Sequence, residues 1–291
     1  MTIKLPDNFF FGAALSGPQT EGAYNVGGRL RSYWDMWSDQ EINAFHNNVG
    51  SYVGNDMYHK YEEDIKLLKS LNFKSFRTSM QWTRLLDQDG NINPEGAAWY
   101  HKLIDCANEN GIEIIGDVPI YVAGDSADVW ANPKQFYLDE DLNPIEVAGC
   151  PPDGFSADGQ LWGNPLFRWD VMKKNGYTWW TKRIAAMSKL YDIVRIDHFR
   201  GFDSYYAIPA KDKTAKNGEW RKGPGMDLFH TLEQKLGRLN IIVEDLGFLT
   251  PSVLKLVADS GFPGMKVIQF AFDSREGSNY LPHTYTEHCV V

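Results

Sequence analysis

Cysteine is scarce. The 291-residue chain holds three, Cys106, Cys150 and Cys289, too few and too scattered for a disulfide framework. They fit reduced thiols, and a cytoplasmic location is expected. Long apolar runs are also missing: no stretch of about 18 apolar residues occurs, so no membrane span is expected. The opening residues, MTIKLPDNFFFGAALSG, lack the basic-then-apolar pattern and cleavage site of a secretory leader. Positive charge is in deficit, with 29 Lys and Arg against 38 Asp and Glu, a net charge of −9. Nucleic acid needs a basic face, so it is not an expected partner. No GxGxxG follows a strand-like run, no GxxxxGK[ST] occurs and no GxSxG marks a nucleophilic serine. His198 with Asp197 and Asp203 lacks HExxH or CxxC spacing. Neither a metal nor a cofactor is expected.

What is present is an ordinary globular composition, 43% hydrophobic and 23% charged, rich in aromatics, with ten Trp and fourteen Tyr. Flat aromatic faces serve a large core or stack on sugar rings, and composition alone leaves both readings open.

Short β-prone runs alternate with helical ones. Asn8–Gly12 is expected as a strand. Tyr58–Leu71 places Tyr58, Tyr61, Ile65 and Leu68 at helical spacing, and Lys74–Ser79 reads as a second strand. Pro94 starts a helix that Gly111 stops, and Ile112–Asp117 is a third strand. From Ile120 to about Gly176 the pattern breaks into Gly-, Pro-, Asp- and Asn-rich sequence, expected as a long functional loop. Alternation then resumes: helix Tyr177–Leu190, strand Asp192–Ile196, helix Met226–Leu236, strand Leu239–Val243. A helix over Pro251–Ser260, capped by Thr250, and a sixth strand over Met265–Phe272 follow. His288–Val291 reads as the opening of a seventh strand. Such alternation implies a parallel sheet covered by helices. An open doubly wound sheet and a closed barrel both fit. A parallel (β/α) barrel of TIM type is favoured, incomplete at six strands plus a stub where closure takes eight. Unpaired strand edges recruit other chains, so self-association through open sheet edges is expected.

Barrel chemistry sits at the carboxyl ends of strands. Reading those ends gives Asp117, Asp197 and the tandem Glu244-Asp245. Two acids at neighbouring strand ends suit glycoside cleavage, about 5–5.5 Å apart for retention of configuration. Acids there also cap helices, so the pattern alone admits both readings. Arg195 lies two residues before Asp197, on the same strand face, where it can keep that carboxyl ionised. In the loop, Trp162 offers a stacking face, while Gln160 and Asn164 offer amides for hydroxyls. Burial of Trp162 to pin the loop is the alternative.

Two longer resemblances stand beyond these patterns. IIGDVPIYVAGDSADVW at 114–130, PPDGFSADGQLWGNP at 151–165, VRIDHFRGF at 194–202, IIVEDLG at 241–247 and GFPGMKVIQFAF at 261–272 resemble the 4-α-glucanotransferases, or amylomaltases. The resemblance implies a retaining mechanism on an α-1,4-glucan or maltooligosaccharide. It implies Asp197 as nucleophile, Glu244 as general acid/base, Arg195 at the cleaved sugar and Trp162 in the glucan-binding loop; His198, next to Asp197, is a further candidate substrate-binding residue. FFFGAALSGPQTEGA at 9–23, NDMYHKYEEDIKLLKSLNFKSFRTSMQWTRL at 55–85 and INPEGAAWYHKLID at 92–105 instead resemble the β-glucosidases and 6-phospho-β-glucosidases. That resemblance implies sugar binding by Gln19. The second family's Asn-Glu-Pro motif does not occur, and Glu-Asn-Gly occurs only at Glu109–Gly111, where it reads as a helix end. The expected organisation is a chimera: residues 1–111 supply two βα units, and residues 112–291 supply the glucanotransferase-like remainder of one structural domain. The glucanotransferase Thr-His-Asp-Asn-Asp motif, with a third carboxylate, does not occur before Val291, and impaired activity is expected. The alternatives are a catalytically silent barrel scaffold with residual sugar binding, or a β-glucosidase-like protein lacking its catalytic glutamates.

Overall fold

A computed structural model describes residues 11–41, 45–52, 54–154, 156–272, 280–286 and 288–291. The chain divides into two compact units, Met1–Gly116 and Asp117–Val291.

In the first unit β1 (Phe11–Ala14) pairs in parallel with β2 (Phe73–Arg77), which pairs in parallel with β3 (Glu113–Pro119) in the register Phe76↔Ile114. Helices α1 (Gly17–Thr20), α2 (Tyr33–Gln40) and α3 (Met57–Ser70) lie between the first two strands. Helices α4 (Trp82–Leu85) and α5 (Pro94–Glu109) precede the third. Asn93 opens α5 by accepting the Glu95 N–H, with Pro94 supplying a preset φ at the first position. Phe76, Ile65, Trp99 and Leu103 are buried together with Ile114 as apolar core. The expected strand over residues 8–12 falls partly outside the described residues; β1 begins at Phe11.

In the second unit β6 (Ile193–Asp197) follows β3 in sheet order, then β9 (Ile241–Val243), β10 (Gly264–Met265) and β11 (Cys289–Val290). The pairs β6/β9, β9/β10 and β10/β11 are all parallel. Helices α8 (Thr178–Leu190), α9 (Met226–Leu236) and α10 (Pro251–Ser260) alternate with these strands. Thr250 caps α10, and Gly261 ends it at φ 66°, a left-handed conformation that costs glycine little. Val194 and Ile196 of β6, Val243 of β9, Trp180 and Ile184 of α8, and Leu228 and Leu232 of α9 form one buried cluster. Parallel strands in chain order, alternating with helices, make this an α/β fold of the parallel (β/α)-barrel, TIM type. Among the described residues it has seven strands, one fewer than closure requires, so the barrel is incomplete.

Two expectations are corrected. The stretch 120–176 is not structureless. It carries α6 (Ala127–Ala131), β4 (Glu146–Cys150), β5 (Gln160–Pro165) and α7 (Trp169–Lys174). With β7 (Ser204–Pro209) and β8 (Glu219–Lys222) these strands form an antiparallel sheet in the order β5–β4–β7–β8. The expected strand Met265–Phe272 is also too long. β10 ends at Met265, and Ile268–Phe272 turns in 3-10 geometry with Phe272 85% exposed. An apolar run gains strand stability when neighbours cover it, and here Ile268 and Phe272 are exposed.

Candidate active site

β6 and β9 lie side by side in the register Ile196↔Val243, so Asp197 and Glu244 occupy the next row beyond the paired residues. Adjacent strands are about 4.8 Å apart, which brings the two acids to one end of neighbouring strands. The Glu244 N–H donates to the Ile196 carbonyl, and the Phe199 N–H donates to the Glu244 carbonyl, both at 2.9 Å. These bonds lock the segments after the two strands to each other.

Arg195 connects the charges. Its Nη2 lies 2.8 Å from Asp197 Oδ1, the same-face pairing expected from their spacing. Its Nη1 donates at 2.6 Å to Asp117 on β3, and its Nε faces Met265 Sδ at 3.3 Å. Burial alone would ease the guanidinium's proton loss. The Asp117 hydrogen bond and the charges of Asp117 and Asp197 outweigh it and raise the arginine above its ordinary value. Arg195 is therefore a permanent cation with its charge shared between two acids. Asp117 is not the strand-end acid the pattern predicts; it lies inside β3 and is the arginine's other partner.

Glu244 is 8% exposed. Its Oε2 accepts the His198 N–H and its Oε1 accepts the Leu246 N–H, each at 2.8 Å. Burial pushes its carboxyl above the usual carboxylate range. The two N–H donors oppose that push, the Asp197 charge adds to it, and Arg195 opposes it. Its chain neighbour Asp245 alternates to other partners, as successive strand positions do. Asp245 is buried, accepts the Met265 N–H at 2.7 Å and lies 3.7 Å from Lys266 Nζ. A Cβ on Gly264 would sit 2.8 Å from both Asp245 carboxyl oxygens, so only glycine lets β10 approach this closely. Of the tandem acids, Glu244 is the one beside Asp197, and Asp245 anchors β10. Tyr280 also belongs to this environment. Its phenol is pushed up to about 12 by burial, then by the charges of Asp245 and Glu244.

His198 holds a left-handed backbone at φ 50° and ψ 48°, rare for a non-glycine residue and typical of strained functional positions. This conformation accompanies the aim of its N–H at Glu244. Its imidazole is pushed down to about 4 by burial and then by the Arg200 charge, so it is neutral at pH 7. Trp162 of β5 meets that ring edge-on at 4.8 Å and lies 6.2 Å from Tyr121. Trp162 stays 36% exposed, and its indole N–H donates to Gln160 Oε1 at 3.0 Å. The Asn164 amide is engaged by the Val122 carbonyl. Arg195, Asp197, His198, Glu244 and Trp162 are thus gathered in the second unit. Gln19 belongs to the first unit, exposed on α1, where its Oε1 accepts the Ser16 hydroxyl at 2.8 Å. The sequence reading missed the Glu244-binding N–H groups, the second partner of Arg195, and Tyr280. Backbone donors carry no sequence signal, and Asp117 carried only its place near a strand end. Among the described residues no group of three His, Cys, Asp or Glu side chains is arranged to hold a metal ion. No described helix is long and apolar enough to cross a membrane.

Acids that follow adjacent parallel strands, one of them paired with an arginine, near an exposed tryptophan are an arrangement that glycoside-hydrolase-type barrels use. Residues 97–291 match the 4-alpha-glucanotransferase family, glycosyl hydrolase family 77, and the chain belongs to it. Residues 1–119 match glycosyl hydrolase family 1, so the chain joins sequence of two families. A 4-alpha-glucanotransferase of Clostridium butyricum is 46% identical over 239 residues, covering 80% of this chain and 48% of that protein. One from Synechocystis is 54% identical over 247 residues, covering 84% and 47%. An amylomaltase of Streptococcus agalactiae, solved in complex with acarbose, is 46% identical with a TM-score of 0.64 over 68% of this chain and 40% of its own. The chain spans less than half the length of each of these proteins.

Proposed function

We propose that the chain carries a retaining 4-α-glucanotransferase centre acting on α-1,4-glucans, working at reduced rate. The observation behind this reading is the geometry around Glu244. A buried carboxyl with a raised proton affinity stands beside an ionisable acid that an arginine holds in place. In the first half-reaction an Asp197 carboxylate oxygen attacks the anomeric carbon. The bond from that carbon to the 4-oxygen of the leaving glucan breaks, and the Glu244 proton passes to that oxygen. In the second, the 4-hydroxyl of an acceptor glucan gives its proton to Glu244 and attacks the anomeric carbon, releasing Asp197. Arg195, 2.8 Å from Asp197 Oδ1, orients that carboxylate for the attack. Trp162 gives the glucan an apolar face, and His198 supplies a neutral ring at the same place.

The reduced rate follows from the join. The first two strands lie in the stretch that matches glycosyl hydrolase family 1, and a first strand foreign to the glucanotransferases is the ground for expecting a lower rate. The same fact favours the second reading, a silent scaffold that retains sugar binding. β-Glucosidase chemistry gains no support, because Glu109 is the last residue of α5 and Gly111 is its stop at φ 72°. Incubation with maltotriose is expected to yield maltose and maltotetraose well below the rate of an intact 4-alpha-glucanotransferase. A folded chain that gives no redistribution at all would favour the silent scaffold.

Self-association belongs to the same proposal. Among the described residues β1 and β11 end the sheet order, and strand edges of this kind recruit other chains. Light scattering is expected to report species larger than a monomer; a well-behaved monomer at all concentrations would dismiss the association.

A further inference from the structure

A second aromatic surface stands beside the acid/base loop. Trp220 of β8 is 42% exposed and Phe248 is 43% exposed, their rings 6.4 Å apart at 70°. Phe248 lies four residues beyond Glu244 on the same loop. One buried residue, Arg200, 2% exposed, lies against the Trp220 ring and binds the backbone at Phe248. The Arg200 guanidinium lies 3.9 Å from the centre of the Trp220 ring, and its Nη1 donates to the Phe248 carbonyl at 2.6 Å. Its Nη2 donates to Ser204 at 2.8 Å. Burying a guanidinium against one half-exposed ring and the backbone of the next is a costly way to support ordinary surface hydrophobics. It makes sense where the rings must present a fixed face. Arg200 is also two residues from His198, against which Trp162 rests. Trp162 and Trp220 therefore flank one short segment, His198–Arg200, which follows the proposed nucleophile.

The geometry points to Trp220 and Phe248 as a glucan-stacking subsite, separate from Trp162, that takes the outer residues of an α-1,4-glucan bound at Asp197 and Glu244. This rests on the glucanotransferase reading for its ligand. One face of the Trp220 ring lies on the arginine, and its exposed surface is free to take the apolar face of a glucosyl ring, as flat aromatics do. On this proposal the surface serves the outer residues of a longer oligosaccharide and is not used by a short one. Binding energy so gained at a distance from the reacting bond helps to hold the glucan in place.

The test is binding of maltotriose and maltoheptaose to the full chain by calorimetry, with thermal melting as a check on folding. Trp220→Ala is expected to weaken maltoheptaose about tenfold, the loss typical of an anchoring aromatic, while leaving maltotriose nearly unchanged. Phe248→Ala, which leaves the Arg200–Trp220 stack in place, carries the same test if Trp220→Ala does not fold. Trp220→Phe is expected to restore much of the loss. Trp130→Ala, at an 85% exposed position on α6, is expected to bind both sugars like the parent. Equal maltoheptaose affinity in Trp220→Ala and parent would overturn the subsite, as would a parent that binds no maltoheptaose at millimolar concentration. A parent that binds maltoheptaose in this length-dependent way but fails to redistribute maltotriose would overturn the catalytic reading and leave the subsite standing.

Discussion

Asp197→Asn is expected to lower maltotriose redistribution by on the order of 10⁴-fold or more, the scale seen when a covalent nucleophile is removed. The amide nitrogen and oxygen fill the same space but do not attack an anomeric carbon. The fold should survive, because Asp197 is 44% exposed at its side chain and Arg195 keeps Asp117 as a partner. A second readout separates a chemical role from a structural one. The Asp197 charge pushes the Glu244 carboxyl upward, while Arg195 pulls it down. Removing that negative charge strengthens the arginine's influence, so Glu244 should titrate at lower pH in the variant than in the parent. Carbon-detected NMR of the carboxyl measures this without turnover. In the parent, the raised proton affinity keeps Glu244 protonated to higher pH, and first-step activity is lost as pH rises through its titration. Robust turnover in Asp197→Asn would show that another group is the nucleophile. An unmoved Glu244 titration would show that the two acids are not electrostatically coupled.

The helices were readable because their signals are local. Asn93-Pro94 and Thr250-Pro251 open helices, Gly111, Gly237 and Gly261 close them, and α9 and α10 run between the limits the pattern set. The antiparallel sheet was not readable. β4 and β5 are short and interrupted by Gly149, Gly163 and Pro165, and β4 is completed by β7, nearly sixty positions later. The parity of Arg195 and Asp197 was visible because a strand's period is local; the Arg195–Asp117 bond was not, because it joins β6 to β3. Residue pattern alone left Glu244 and Asp245 as equals at one strand end. What separates them is where each side chain goes: Asp245 to the Met265 N–H, Glu244 to the N–H groups of His198 and Leu246. Those donors are backbone, which every sequence has.

Glu21→Ala is expected to destabilise the first unit by about 3–5 kcal/mol, the cost of stripping one partner from a buried ion pair. Glu21 is 2% exposed and is one centre of that unit's polar core. Its Oε2 accepts from Arg84 Nε and from Gln81 Nε2, both at 2.8 Å, and its Oε1 accepts the Tyr100 hydroxyl at 2.7 Å. The Tyr100 hydroxyl in turn accepts the Gln81 N–H at 2.6 Å. Arg84 is fully buried, with its guanidinium 4.3 Å from the Tyr58 ring centre. Deleting the carboxylate leaves that guanidinium without a counter-charge and removes an acceptor from Tyr100 and Gln81 together. Folded domains hold about 5–15 kcal/mol in all, so the loss would consume much of the first unit's stability. Glu21→Gln is expected to cost less, since it keeps an acceptor for Tyr100 while losing the charge. Urea unfolding followed by circular dichroism and by tryptophan fluorescence reads both variants. An alanine variant that unfolds with the parent would show that this network contributes little, and that the apolar cluster around Phe76 and Leu103 carries the unit.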